Sequence, residues 1–141
     1  MNGCKEVNKY QRMIVLVILI VVSIPTIALS TVDFSPHKLI IKDDTVKIGV
    51  KSFKIEDIKK VELLENIEIS RRKKGTGTLT YVRGICKVED ENQDVNVYIY
   101  KNKSPYIKVT LEKELFIYND KNSNDTEKTY EKLVEFINKN I

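Results

Sequence analysis

Apolar and polar residues follow one another along this chain in three rhythms. Met13 to Ser30, MIVLVILIVVSIPTIALS, contains no charged residue. From Lys38 to about Asn119, apolar positions recur every second residue, the period of half-buried strands. From Asn124 on, NDTEKTYEKLVEFINKNI places Tyr130, Leu133, Val134, Ile137 and Ile141 on one face of a helix.

The period-two region divides into short strands. KLIIKDDTVKIGV reads as two strands joined by a turn at Asp43-Asp44. In FKIEDIKKVELLE, Ile55, Ile58, Val61 and Leu63 are the apolar positions, and Glu56-Asp57 is a short turn into the next strand. TLTYVRGICKVED is a strand with Leu79, Tyr81, Arg83 and Ile85 on one side. Val82, Gly84, Cys86 and Val88 are on the other, core-facing side, which makes Cys86 a small buried hydrophobe. DVNVYIYKN, PYIKVTLEK and ELFIYND are three more strands, with Pro105 at a strand start. Asn124 or Asp125 can cap the final helix, with Glu127 as a capping-box partner and Lys139 suited to the negative end of its dipole. The fold class is therefore α+β, mainly β. Six or seven antiparallel strands make a bent sandwich or small barrel, and the C-terminal amphipathic helix covers an open end or seam.

The uncharged run reads differently. Its 18 residues would reach about 27 Å as a helix, close to the ~30 Å hydrocarbon core of a bilayer. Lys5, Lys9 and Arg12 precede it against Glu6 alone; Asp33, Asp43 and Asp44 follow, mixed with Lys38 and Lys42. By the positive-inside rule, residues 1–12 are cytoplasmic, 13–30 form a single-pass transmembrane helix or uncleaved signal anchor, and 31–37 are a linker carrying His37. Residues 38–141 are then an extracytoplasmic domain at the cell membrane. The alternative is a secretory signal peptide, with Pro25 ending the apolar helix and Ala28-Leu29-Ser30 as the cleavage site. The product would be a secreted accessory protein of the cell envelope. Cys4 precedes the apolar core and so is no lipobox cysteine; on the anchor reading it is separated by the membrane from Cys86.

Composition narrows the chemistry. The net charge is +4, and residues 31–141 hold 21 basic and 19 acidic side chains, a balance of +2. That is no basic stripe, so no nucleic-acid partner is expected. Two cysteines make no disulfide framework. A lone histidine and scattered acids offer no metal-ligand spacing, no cofactor motif appears, and no serine or cysteine has a histidine that periodicity brings near. An enzyme is not expected.

One local charge cluster stands out, SRRKKGTGTLTYVRG, with Arg71, Arg72, Lys73 and Lys74 running into Gly75 and Gly77. It reads as a loop between two strands. GTGT is neither a Walker loop nor a dinucleotide fingerprint, since no GKS/T and no helix follow. Four cations in a row suit phosphate oxygens or an anionic surface, or form a solvated hairpin tip with glycines for positive φ.

The order of short strands closed by one amphipathic helix resembles the pleckstrin-homology superfold, and within it the bacterial PH-like domains of membrane proteins. The similar parts are IEDIKKVELLE, the glycine-bearing loop followed by YVRGICKV, and VNVYIYKNKSPYIKVTLEKELFIYND running into TEKTYEKLVEFI, over about Lys38 to Asn138. The resemblance implies a module that follows a membrane span. It also implies that basic side chains of a strand-connecting loop meet anionic headgroups. The expected function is a non-enzymatic, membrane-tethered interaction module for a partner protein or an anionic surface, lipid or wall polymer, through Arg71, Arg72, Lys73 and Lys74.

Overall fold

The computed structural model describes residues 2–31 and 38–140, with side chains described for 8–23 and 38–140. The chain divides into two compact units, Met1–Phe34 and Ser35–Ile141.

The first unit holds one helix, α1 (Asn2–Thr31). Met13 and every residue from Ile14 to Val22 are more than half exposed, so the helix shows apolar surface on all sides. The backbone stays helical through Pro25, where the sequence suggested a stop. Among the described residues no helix is long and apolar enough to cross a membrane. The expected span over residues 13–30 runs into side chains outside the described set. The side chains of Cys4 and of Ala28-Leu29-Ser30 lie outside the described residues too, as does His37.

The second unit has two sheets. β1 (Ile40–Lys42), β2 (Thr45–Ile48) and β3 (Lys51–Lys54) form an antiparallel sheet of three strands. Its first turn falls at Asp43-Asp44 as expected, with Asp43 at φ 54, a conformation aspartate tolerates. A single 3-10 turn, Ile55–Asp57, leads into the larger sheet. That sheet contains β4 (Ile58–Leu64), β5 (Ile69–Gly77), β6 (Tyr81–Val88), β7 (Val95–Tyr100), β8 (Tyr106–Leu111) and β9 (Leu115–Tyr118), in the order β4-β8-β9-β7-β6-β5. Helix α2 (Ser123–Lys139) ends the unit.

Among the described residues nine strands replace the six or seven expected, and the pairing is not uniformly antiparallel. β8 lies beyond β9, and the short Leu111–Glu114 turn sends β9 back into the gap beside β7, to which it runs parallel. Each of its four residues is buried, Leu115 and Ile117 in one core, Phe116 and Tyr118 in another. A strand with both faces covered reads as a continuous apolar run, as LFIY does.

The larger sheet must curl. β4 and β5 are its opposite edges, yet only Glu65 to Glu68 join them. Five inter-strand gaps of ~4.8 Å would separate them by about 24 Å in a flat sheet. The five residue steps from Leu64 to Ile69 reach about 18 Å. The curl gives an outer and an inner core. The outer core joins Val46, Ile48 and Phe53 of the small sheet to Ile107, Val109 and Phe116 of the large one. The Phe53 and Phe116 rings sit 5.0 Å apart. The inner core holds Val82, Cys86, Val88, Val95, Val97 and Ile99, with Leu64, Ile67 and Ile69 packed against it. Val82, Cys86 and Val88 were expected on the core face and are there.

Helix α2 belongs to the outer core. Leu133 is fully buried there, with Tyr130, Phe136 and Ile137 packed alongside. Phe136 joins the expected stripe, whereas Ile141 lies outside the described residues. The helix thus covers the outer face of the sheet, and none of its residues enters the inner core. Its cap also differs from expectation. Asn122, not Asn124 or Asp125, is the N-cap, and it makes no side-chain capping bond. Instead, the Asp120 amide donates to Thr126 Oγ1 at 2.9 Å, and Thr129 Oγ1 donates to the Asp120 carboxylate at 2.6 Å. Those bonds tie the first two turns of α2 to Asp120, just beyond the end of β9.

Candidate functional site

The four basic residues lie on a strand and not in a loop. β5 runs through Arg71, Arg72, Lys73 and Lys74, and the turn comes later, at Thr78 to Thr80. Thr78 Oγ1 accepts from the amides of Thr80 and Tyr81, both at 3.2 Å, and leaves Leu79 at the exposed tip. β5 is an edge strand, where charged side chains discourage pairing with other chains.

Two register shifts interrupt β5·β6, one between Ile69 and Arg71, the other between Arg72 and Lys74. Each inserts a residue, and each insertion exchanges the faces of the residues beyond it. Ile69 sits opposite Val88 and Arg72 opposite Cys86, both inner-core residues. Arg71 sits opposite exposed Lys87, and Lys74 opposite half-buried Ile85. The run of four is therefore divided. Arg72 turns to the inner side of the curl. Arg71 and Lys74 turn outward. Lys73 is spent on Asp94, at 3.0 Å.

The glycines serve this geometry. Gly75 (φ 109) faces Gly84 (φ 137) across the strands, and a Cβ on either would come within 2.1 Å of a carbonyl oxygen opposite. Gly77 lies under the Arg72 guanidinium: a Cβ there would sit 1.9 Å from Nη1. The glycines allow close strand approach and room for an arginine; they do not wrap a phosphate.

Outside, Arg71 and Lys87 are cross-strand partners of like charge. Such a pair is destabilising by a few tenths to about 1 kcal/mol. Among the described residues no carboxylate pairs with Arg71, Lys74 or Lys87. Lys87 was missed in the sequence. Its outward parity in YVRGICKV was visible, but the partner it would meet was not.

Inside, a cavity of about 340 Å³ opens at one mouth of the curl. Its apolar wall is Ile67, Ile69, Val82, Ile99 and Tyr106. Arg72, Lys101 and Asn102 complete the lining. Lys101 comes from the connection between β7 and β8, which Asn119 holds in place. The buried Asn119 Nδ2 donates to the carbonyls of Tyr100 at 2.9 Å and Lys103 at 2.8 Å. Cys86 is fully buried beneath, and burial pushes its thiol pKa up while the nearby Arg72 charge pulls the other way. A buried thiol so shifted is a packing group, not a nucleophile.

The remaining polar clusters look structural. Glu62 takes Lys60 at 2.9 Å and Lys108 at 3.8 Å, and Lys108 also pairs with Glu91. Among the described residues no group of three His, Cys, Asp or Glu side chains could hold a metal. Tyr98, Tyr106 and Tyr118 are buried and Tyr100 half-buried, as core or rim residues. Comparison with protein-family models, curated proteins and solved structures finds no match for this chain.

Proposed function

We propose that this chain is a non-enzymatic, membrane-tethered interaction module whose outward basic face meets an anionic surface. The observation that carries the reading is the cross-strand juxtaposition of Arg71 and Lys87, with Lys74 on the same strand face and, among the described residues, no carboxylate paired with any of the three. An anion between two like charges relieves their repulsion and gains charge-assisted hydrogen bonds. Each cation near an anionic surface contributes about 1 kcal/mol, within a Debye length of ~8–10 Å. The tether is the uncharged run in α1. Tethering makes each weak contact intramolecular. The PH-like reading rests on the strand-rich unit followed by α2; the parallel β7·β9 pair departs from an all-antiparallel barrel.

The test takes the unit from Ser35 onward and vesicles of phosphatidylcholine with or without phosphatidylglycerol. Co-sedimentation should require the anionic lipid and vanish at high salt. Replacing Arg71, Lys74 and Lys87 by Ser should abolish it. Indifference of the wild-type unit to anionic vesicles at low salt would move the reading to a protein partner.

A further inference from the structure

The cavity at the mouth of the curl is a second feature, on the opposite face of β5 from the Arg71–Lys87 pair. It is a concave site with an apolar wall, two cations at its lining and no acid among the described residues that line it. Its volume of about 340 Å³ lies in the range of small-molecule sites, ~300–1,000 Å³. The strand register brings Arg72 to it, and the Asn119-held connection brings Lys101. Helix α2, the element that could have closed a barrel end, is committed to the outer core.

We propose that this cavity binds a single-chain anionic amphiphile, its carboxylate or phosphate between Arg72 and Lys101 and its tail against Ile67, Ile69, Val82, Ile99 and Tyr106. Charge complementarity selects the head. A neutral or cationic head would leave two cations without a counter-charge at an apolar surface. The guanidinium offers planar paired donors to such oxygens, and Gly77 leaves it room to lie along the strand. The walls select the tail, because a free anion would cover none of the apolar surface there. This site is independent of the outward basic face and does not need a bilayer.

The experiment uses the full chain in phosphatidylcholine nanodiscs and a ten-carbon carboxylate carrying a terminal diazirine. After irradiation the labelled peptides are mapped by mass spectrometry. Saturable label is expected on peptides carrying Ile67 and Ile69, Val82 or Ile99. Decanoate and decyl phosphate should compete; decanol, decyltrimethylammonium and butanoate should not. The double variant Arg72→Gln, Lys101→Gln changes two exposed side chains and should keep the wild-type melting temperature while losing label at least tenfold. Label confined to the α1 peptide would overturn the proposal. So would equal competition by decanol or by butanoate, or unchanged labelling of the double variant. The triple Ser variant of Arg71, Lys74 and Lys87 should still be labelled, so loss of vesicle binding and loss of this site are told apart.

Discussion

The side chain of Asn119 holds the backbone of Tyr100 from both sides. Its Oδ1 accepts from the Tyr100 amide at 2.6 Å, and its Nδ2 donates to the Tyr100 carbonyl at 2.9 Å. The parallel pairing of β7 and β9 stops at Tyr98 with Tyr118. Asn119 thus extends the ladder by one side-chain rung, and a third bond, to the Lys103 carbonyl, fixes the connection that carries Lys101.

Replacing Asn119 by Leu keeps the volume but leaves one amide and two carbonyls without this partner. Unmet buried groups cost ~1–3 kcal/mol each, and relaxation recovers part of it. A loss of about 2–4 kcal/mol is expected in urea unfolding, with weaker labelling of the cavity. A loss under about 0.5 kcal/mol would show that water replaces the side chain.

Leu133 anchors α2 in the outer core and is fully buried. Leu133→Ala should cost ~2–5 kcal/mol, a large part of the ~5–15 kcal/mol typical of a domain. The cavity should label normally in whatever fraction stays folded, because α2 does not reach the inner core.

Gly84→Ala puts a methyl at φ 137 against the Lys74 carbonyl oxygen, 2.1 Å away. Backbone strain of this kind is worth ~1–3 kcal/mol, and the contact adds to it. The melting temperature should fall whether or not any anion is present. Unchanged stability would show that the strands separate to admit the methyl.

Two carboxylates should give stability opposite pH slopes. The hydrogen bond from Lys60, aided by the charge of Lys108, holds Glu62 below the usual carboxylate range. Its contribution is therefore present above the unfolded value of ~4.3 and is lost as pH falls through the folded one. A hydrogen bond with Glu68, and repulsion by it, raise Glu89. That penalty applies above the raised folded value and disappears as pH falls to the unfolded one. At pH 7, Glu89→Gln should melt above wild type and Glu62→Gln below it. The Glu89 difference should shrink as pH falls to the unfolded value of ~4.3, whereas the Glu62 difference should persist there and shrink only as pH falls through its lowered folded value. Slopes of the same sign in the two variants would show that one of the pairs is not formed.

Local pattern was enough for much of this fold. Period two located the strands other than β5, which read as a loop, and the helical stripe placed Leu133 and Ile137 on the buried side of α2. Alternation in YVRGICKV put Cys86 and Val88 in a core, and the Asp43-Asp44 turn followed from its own residue types. These features depend on neighbours a few residues apart. Other features depend on strands distant in sequence. Nothing in LFIY shows that β9 enters between β7 and β8, parallel to one of them. Nor does NDTEKTYEKLVEFINK tell which of two cores its apolar stripe will meet. The basic run shows the difference most sharply. Its charge was plain in the sequence, but strict alternation would have sent Arg71 inward with Ile69. One residue inserted between Ile69 and Arg71 in the pairing with β6 sends Arg72 there and sets Arg71 against Lys87, and a second between Arg72 and Lys74 turns Lys74 outward. A side chain's face on a strand is relative to the partner's register. That register is set only when the sheet curls and the two cores close.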